Sequence, residues 1–445
     1  MHPNLSLDQA PPISVPFRFF ISAPLFGMLA ALMLCFYGPE LLQTRWFPAT
    51  LGFTHLVTLG ILTMVMCGAL FQMLPVVAGA PIRHPLGVSL FTHLSLSTGT
   101  ITLVAGFLWG DSLVFSSAVF LLATAVLIFF ASTFHSLLKA PRLQPTITGV
   151  RMAIIGLIVT AGFGLMLAAG YAWTGGTAQR ETLTDLHLAW GFLGWMGMLA
   201  AVIAYQVVPM FQMTPEYPLW LRRTLSWMLF GTLLCWSIGL ASAPTKTLLI
   251  LLELILAGEL TLFAGITLHL QHKRRRKVVD VVLFFWRTGM VMLILACLCW
   301  TVAQWWSAWG DDPRYPFCLG ILFLAGFTLS VINGMLYKIV PFLVWLHLQS
   351  RVMADINLMG AKIPNMKKVI SSEAMKKQFW LHLTALCSLL AAVFYPDQFS
   401  RLAGLLFLAS FVWLGWNLLA AIAIYRTEVT RLEQRVRDGA GTASI

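Results

Sequence analysis

GFTHLVTLGILTMVMCGALFQMLPVV, residues 52–77, decides how the rest of the chain is read. His55 stands near the head of this apolar run, and Gln72 and Pro75 stand at its foot. A helix from His55 to Pro75 rises about 30 Å, the thickness of a bilayer's hydrocarbon core. Residues 187–211 (HLAWGFLGWMGMLAAVIAYQVVPMF) and 326–343 (GFTLSVINGMLYKIVPFL) are related stretches. Aligning Pro75, Pro209 and Pro341 places Gly60, Gly194 and Gly326 in one column and Gln72, Gln206 and Lys338 in another. A spacing of roughly 133 residues implies a triplicated unit.

Composition agrees with a membrane reading. The 445 residues are 59% hydrophobic and 10% charged, and the mean hydropathy is +0.82. Soluble domains of this size are far more polar, so a polytopic membrane protein is expected. The net charge of +12 does not indicate nucleic-acid binding, because the basic residues sit in short loops between apolar runs. No cleavable signal is expected at the polar N-terminus. The seven Cys include no CxxC pair, so neither a zinc site nor a disulfide framework is indicated.

Hydropathy predicts twelve helical spans within a single integral membrane domain, 1–445. They lie at 17–37, 53–78, 87–109, 113–138, 149–172, 187–211, 219–241, 245–270, 279–308, 317–346, 378–396 and 402–425. Helices are required because unpaired backbone is too costly in lipid. Of the 29 Lys and Arg, 23 fall at one side of this map and five at the other, with Lys338 left over. The positive-inside rule then puts both termini in the cytoplasm of a bacterial inner membrane. The 347–377 loop, polar and basic, is expected there, either on anionic headgroups or solvated. The tail, 426–445, alternates charge and reads as an exposed continuation of the last span.

The repeat extends to four-helix units at about 17–138, 149–270 and 279–425. Arg18, Arg151 and Arg287 open the first span of each. The fourth spans of the first two units end alike, in His135/Lys139 and His269/Lys273. Three such units imply an all-α ring with pseudo-threefold symmetry.

Ten His are the main candidates for chemistry. His2 is terminal, and His84, His135, His269, His272 and His347 fall at cytoplasmic helix ends, where they suit helix C-termini or headgroups. His93 and His382 occupy matching places in spans 3 and 11; each reads as a cofactor ligand or as a His bonded to a neighbouring helix. His55 and His187 head matching helices near the outer face. Neutral imidazole is a common haem or copper ligand, but a polar helix start would look the same. Glu253 and Glu259 lie inside span 8, marking a proton or ion path or a structural hydrogen bond. They sit about 120° apart on the helix and form no dyad. Lys338 is read as snorkelling to the inner face. Met66, Met73, Met210 and Met213 flank the repeated signature and are read first as packing.

Twelve spans, cytoplasmic termini and a His near the outer end of span 2 resemble the catalytic subunit of haem–copper oxidases. The chain is more similar to the NnrS family, haem- and copper-containing membrane proteins associated with nitric-oxide metabolism. Pro16-Phe17-Arg18-Phe19-Phe20 is similar to that family's opening Arg-Pro-Phe-Phe element. The resemblance implies an oxidase-subunit-like architecture, haem b with copper as a second cofactor, and His55 as the low-spin haem ligand. It implies His187 as a copper ligand and a periplasmic electron donor or respiratory complex as partner. It departs where the oxidase pattern has a His pair in span 7 and two His in span 10, which are missing here, so oxygen reduction is not expected. The NnrS pattern also has more than one His, then a Glu, in span 2, where this chain has His55 alone. The expected role is nitric-oxide or copper stress, or respiratory-complex maturation. The alternative is a permease for a small solute or metal ion without a redox cofactor, which the repeats and the buried Glu residues also fit.

Overall fold

In a computed structural model the described residues are 9–140, 144–174, 179–242, 245–275 and 280–442. His2, Arg142, Arg276 and Lys277 lie outside them. The described chain is all-helical, and twelve helices are long and apolar enough to cross a membrane. They are α1 Ser14–Leu42, α2 Pro48–Val76, α3 Pro85–Trp109, α4 Ser112–Lys139, α5 Pro145–Trp173 and α6 Arg180–Gln212. The second half holds α7 Leu219–Ala241, α8 Lys246–His272, α9 Val281–Trp305, α10 Tyr315–Ala354, α11 Ser372–Phe394 and α12 Pro396–Asp438. This is a multi-pass membrane protein. Twelve crossings put both ends of the described chain at one face of the bundle, the terminal face; the opposite one is the distal face. Large apolar side chains such as Phe36, Phe120, Trp227 and Trp416 point outward, as lipid contact requires.

Three helices form the inner layer. In α2, α6 and α10, 72%, 78% and 72% of the most apolar window is buried, against at most 56% in any other span. Each of the three widens into π-helix, at Leu56–Thr63, Trp190–Gly197 and Ile321–Leu329. Each π segment contains its column glycine and ends twelve residues before Pro75, Pro209 or Pro341. Long π segments are rare and concentrate at functional sites. The glycines sit at close helix contacts. A Cβ on Gly60 would lie 2.5 Å from the Phe26 ring of α1, and one on Gly326 would lie 2.8 Å from Met292 of α9. Gly194 meets α5 backbone to backbone at Gly156. Small residues let membrane helices approach this closely.

The layer is also joined across its centre. Trp195 of α6 donates to Thr63 of α2 at 3.2 Å, and Phe192 stacks on Phe323 of α10 with centroids 4.9 Å apart. Towards the terminal face a small apolar cavity of about 60 Å³ is lined by α2, α6 and α10, with Gln72 and Gln206 on its wall. Lys338 leaves this column. It forms an ion pair with Asp280, which also caps the start of α9 at the terminal face. The three arginines differ as well. Arg18 donates to the carbonyls of Ser14 and Leu86, and Arg151 to those of Leu137 and Ala140. For Arg287 no such contact exists among the described residues.

Several boundaries move from their expected places. The second and sixth spans begin at Pro48 and Arg180, not at 53 and 187. Pro at the first helical turn is pre-set for the helix, and Arg180 and Glu181 are good helix residues that an apolar window passes over. The expected 347–377 loop shrinks to 355–371, because α10 continues to Ala354 and Ser371 caps α11 through the Ala374 amide. That connection is folded: Leu358, Val369 and Ile370 are buried. The tail helix runs to Thr442 and is not simply exposed, since Leu432 is buried and Arg431 donates to the Lys362 carbonyl. The connection therefore docks against the tail.

Candidate functional site

His55 and His187 do not head their helices. Each lies seven residues inside, two turns below the start at Pro48 or Arg180. Their rings converge from α2 and α6, with centroids 6.2 Å apart and planes 23° from parallel. Each ring is fixed in the same way. Nδ1 of His55 bonds the Leu51 carbonyl at 2.7 Å, and Nδ1 of His187 bonds the Thr160 carbonyl of α5 at 3.0 Å. A carbonyl accepts only, so Nδ1 carries the proton in both rings and Nε2 is left with its lone pair. Neither Nε2 has a hydrogen-bond partner among the described residues.

The neighbouring helices make room for the pair. Phe107 of α3 lies 5.5 Å from the His55 ring. Gly164 of α5 faces His187, where a Cβ would come within 2.8 Å of ring carbon Cε1. The two His stand at different distances from their prolines. His55 is 20 residues before Pro75 and His187 is 22 before Pro209. A shift of two residues turns a side chain by about 200° on a helix of 3.6 residues per turn.

Next to the pair, on the distal side of the inner layer, lies a cavity of about 500 Å³. Leu51, Thr54 and Leu188 line it, but neither His does. Its rim is held by Arg45, which pairs with Asp185 at 3.6 Å and stacks with Arg180 on the Trp46 ring at 4.6 and 4.5 Å. Asp185 lies on α6 and serves Arg45; the acceptor that orients His187 is the Thr160 carbonyl. Glu253 lines the cavity and takes a hydrogen bond from the Trp236 indole at 3.0 Å. Glu259 turns elsewhere: one oxygen accepts from Thr232 at 3.1 Å and the other is buried with no hydrogen-bond partner among the described residues. The two glutamates do not share a site.

The remaining candidates are engaged elsewhere. His93 of α3 bonds Ser22 of α1 at 2.7 Å and meets the Phe19 ring edge-on. His382 of α11 is fully buried, bonds Ser330 of α10 at 2.8 Å and packs on Phe285 and Phe407. Both make hydrogen bonds that join neighbouring helices. Met73 and Met210 line the small cavity towards the terminal face, and Met213 is exposed. Arg45, Trp46, Thr160 and Gly164 carry no motif, and their part in the site comes from tertiary proximity alone. A scan against models of known protein families gives no match to this chain, and a search of curated proteins gives none either.

Proposed function

We propose that the chain is a metal-binding membrane protein in which His55 and His187 hold one transition-metal ion near the outer face, copper first among the candidates. The observation that carries this reading is the facing pair of imidazoles, 6.2 Å apart, each tautomer fixed by a carbonyl. A bound His is normally oriented by such a bond through its other nitrogen. Metal–nitrogen bonds of about 2 Å suit a gap of this size. Imidazole suits copper and zinc alike. Two neutral imidazoles suit copper(I) at low coordination number, whereas tetrahedral zinc takes four ligands. Copper held there would supply one-electron chemistry or an open position for a small molecule such as nitric oxide. The protein's own contribution is to fix both rings through the two carbonyls and to shield His55 with Phe107.

Haem b is supported less well. Its plane would need a slot opening between the rings, and the cavity of about 500 Å³ beside them has neither imidazole on its wall. The glycine contacts and the twelve-residue offset of the π segments support three four-helix units, and the 23-to-5 split of basic residues supports cytoplasmic termini in a bacterial inner membrane. The likeness to the NnrS and haem–copper oxidase families supports a role in copper or nitric-oxide stress or respiratory-complex maturation.

The experiment is metal and haem quantification in purified protein, wild type beside His55→Ala and His187→Ala. Near-stoichiometric copper that falls to background in both variants, at normal expression, is the expected result. Metal content unchanged in the double variant ends the reading. A second reading, a permease, is favoured by the cavity with Glu253 inside it, and metal-free wild-type protein would put it ahead.

A further inference from the structure

The cavity of about 500 Å³ holds more than its neighbouring His pair accounts for. Its volume is that of a small-molecule site. Its wall is mostly apolar and aromatic, with Trp236, Trp300, Tyr315, Phe192 and Phe323 contributing rings. Its charged lining is unbalanced. Among the described residues Arg45 is the one cation on the wall, and Asp185 already pairs with it. Glu253 is left over. One of its oxygens takes the Trp236 indole proton, and the other takes no hydrogen bond among the described residues. Glu253 stands seven residues along α8 from Lys246, about 10 Å below the helix start. A carboxylate at that depth needs a partner, because its charge is poorly solvated. Aromatic faces attract cations and offer nothing comparable to anions.

We propose that this cavity binds an amphipathic organic cation, its charged centre on Glu253 and its apolar body against the aromatic wall. The rim formed by Arg45, Trp46 and Asp185 is half-exposed and gives the ligand a route from the distal face. Glu259, on the same helix but off the cavity wall, has no part in binding.

The proposal shares its cavity with the transport reading, so binding is measured directly, without transport. Full-length protein in zwitterionic-lipid nanodiscs is titrated with labelled tetraphenylphosphonium. Saturable binding at one site is expected, weakened at least tenfold by Glu253→Gln and unchanged by Glu259→Gln. Leu324→Trp, which fills the cavity from α10, should abolish binding in protein whose unfolding temperature shows it is folded. The His55→Ala/His187→Ala variant should bind as wild type does, which separates this site from the metal site. No saturable binding in wild type, or equal affinity in Glu253→Gln, overturns the proposal. A permease for another cargo would show transport with no tetraphenylphosphonium binding.

Discussion

Gly164 tests whether ring position matters at the His pair. A methyl group there would come within 2.8 Å of His187, so the imidazole has to move. Gly164→Ala is expected to lower copper occupancy and to destabilise the fold by about 1–3 kcal/mol, as overpacking does. Occupancy equal to wild type would show that the pair tolerates displacement and does not hold an ion rigidly. His93 supplies the contrast. Its bond to Ser22 joins α1 to α3, so His93→Ala should cost about 1–2 kcal/mol and leave metal content unchanged. Metal lost in that variant, with the fold intact, would restore His93 as a ligand.

At the scale of the helix, the π segment in α2 sets the direction of everything distal to it. Deleting Thr58 should let Leu56–Thr63 relax to ordinary α-helix and shift both the height and the direction of His55 relative to Pro75. Copper should be lost while His187 stays in place, which metal analysis and a cross-link from α6 would report. Retained copper would mean that the π geometry does not position the ring. Lys338 gives a second test. Lys338→Gln restores the residue of the other two repeats but strands Asp280, and Asp280→Asn in the same chain should recover the lost stability. The pair is partly exposed, so the effect should stay near 1 kcal/mol. Helix existence was legible from hydropathy, and the central trio from the repeated Gly and Pro. Helix ends were not: the helices run out past the apolar windows to Pro48, Arg180 and Ala354, through polar turns that such a window ignores. The partners of Glu253 and His187 were not legible either, because Trp236 and Thr160 reach them across helix interfaces that no spacing within one helix encodes.

For the molecule as a whole, orientation is the open physical question that charge addresses. Reporter fusions after Lys368 should read cytoplasm and one after Asp312 the outer side, following the 23-to-5 distribution of basic residues. The opposite pattern would invert the bundle and place the His pair inside the cell. The twelve crossings follow from composition, since the membrane leaves helices as the form available to apolar runs. That the second and sixth helices bring two imidazoles together could not be read from composition or from the repeat, because the two-residue offset of His187 breaks the repeat's own register.

The clasp over the cavity has a consequence for how fast anything passes it. Arg45 bridges Asp185 at 3.6 Å and shares the Trp46 ring with Arg180, all of it at the wet edge of the bundle. At 1 M salt the Debye length falls to about 3 Å, comparable to the ion-pair separation itself. The pair then loses most of its attraction while the cation–π stack keeps much of its own. The doorway should thus loosen in brine and tighten in dilute buffer. Exchange at the cavity would follow ionic strength even where affinity inside it barely changes, making the entrance a valve set by the medium at the distal face.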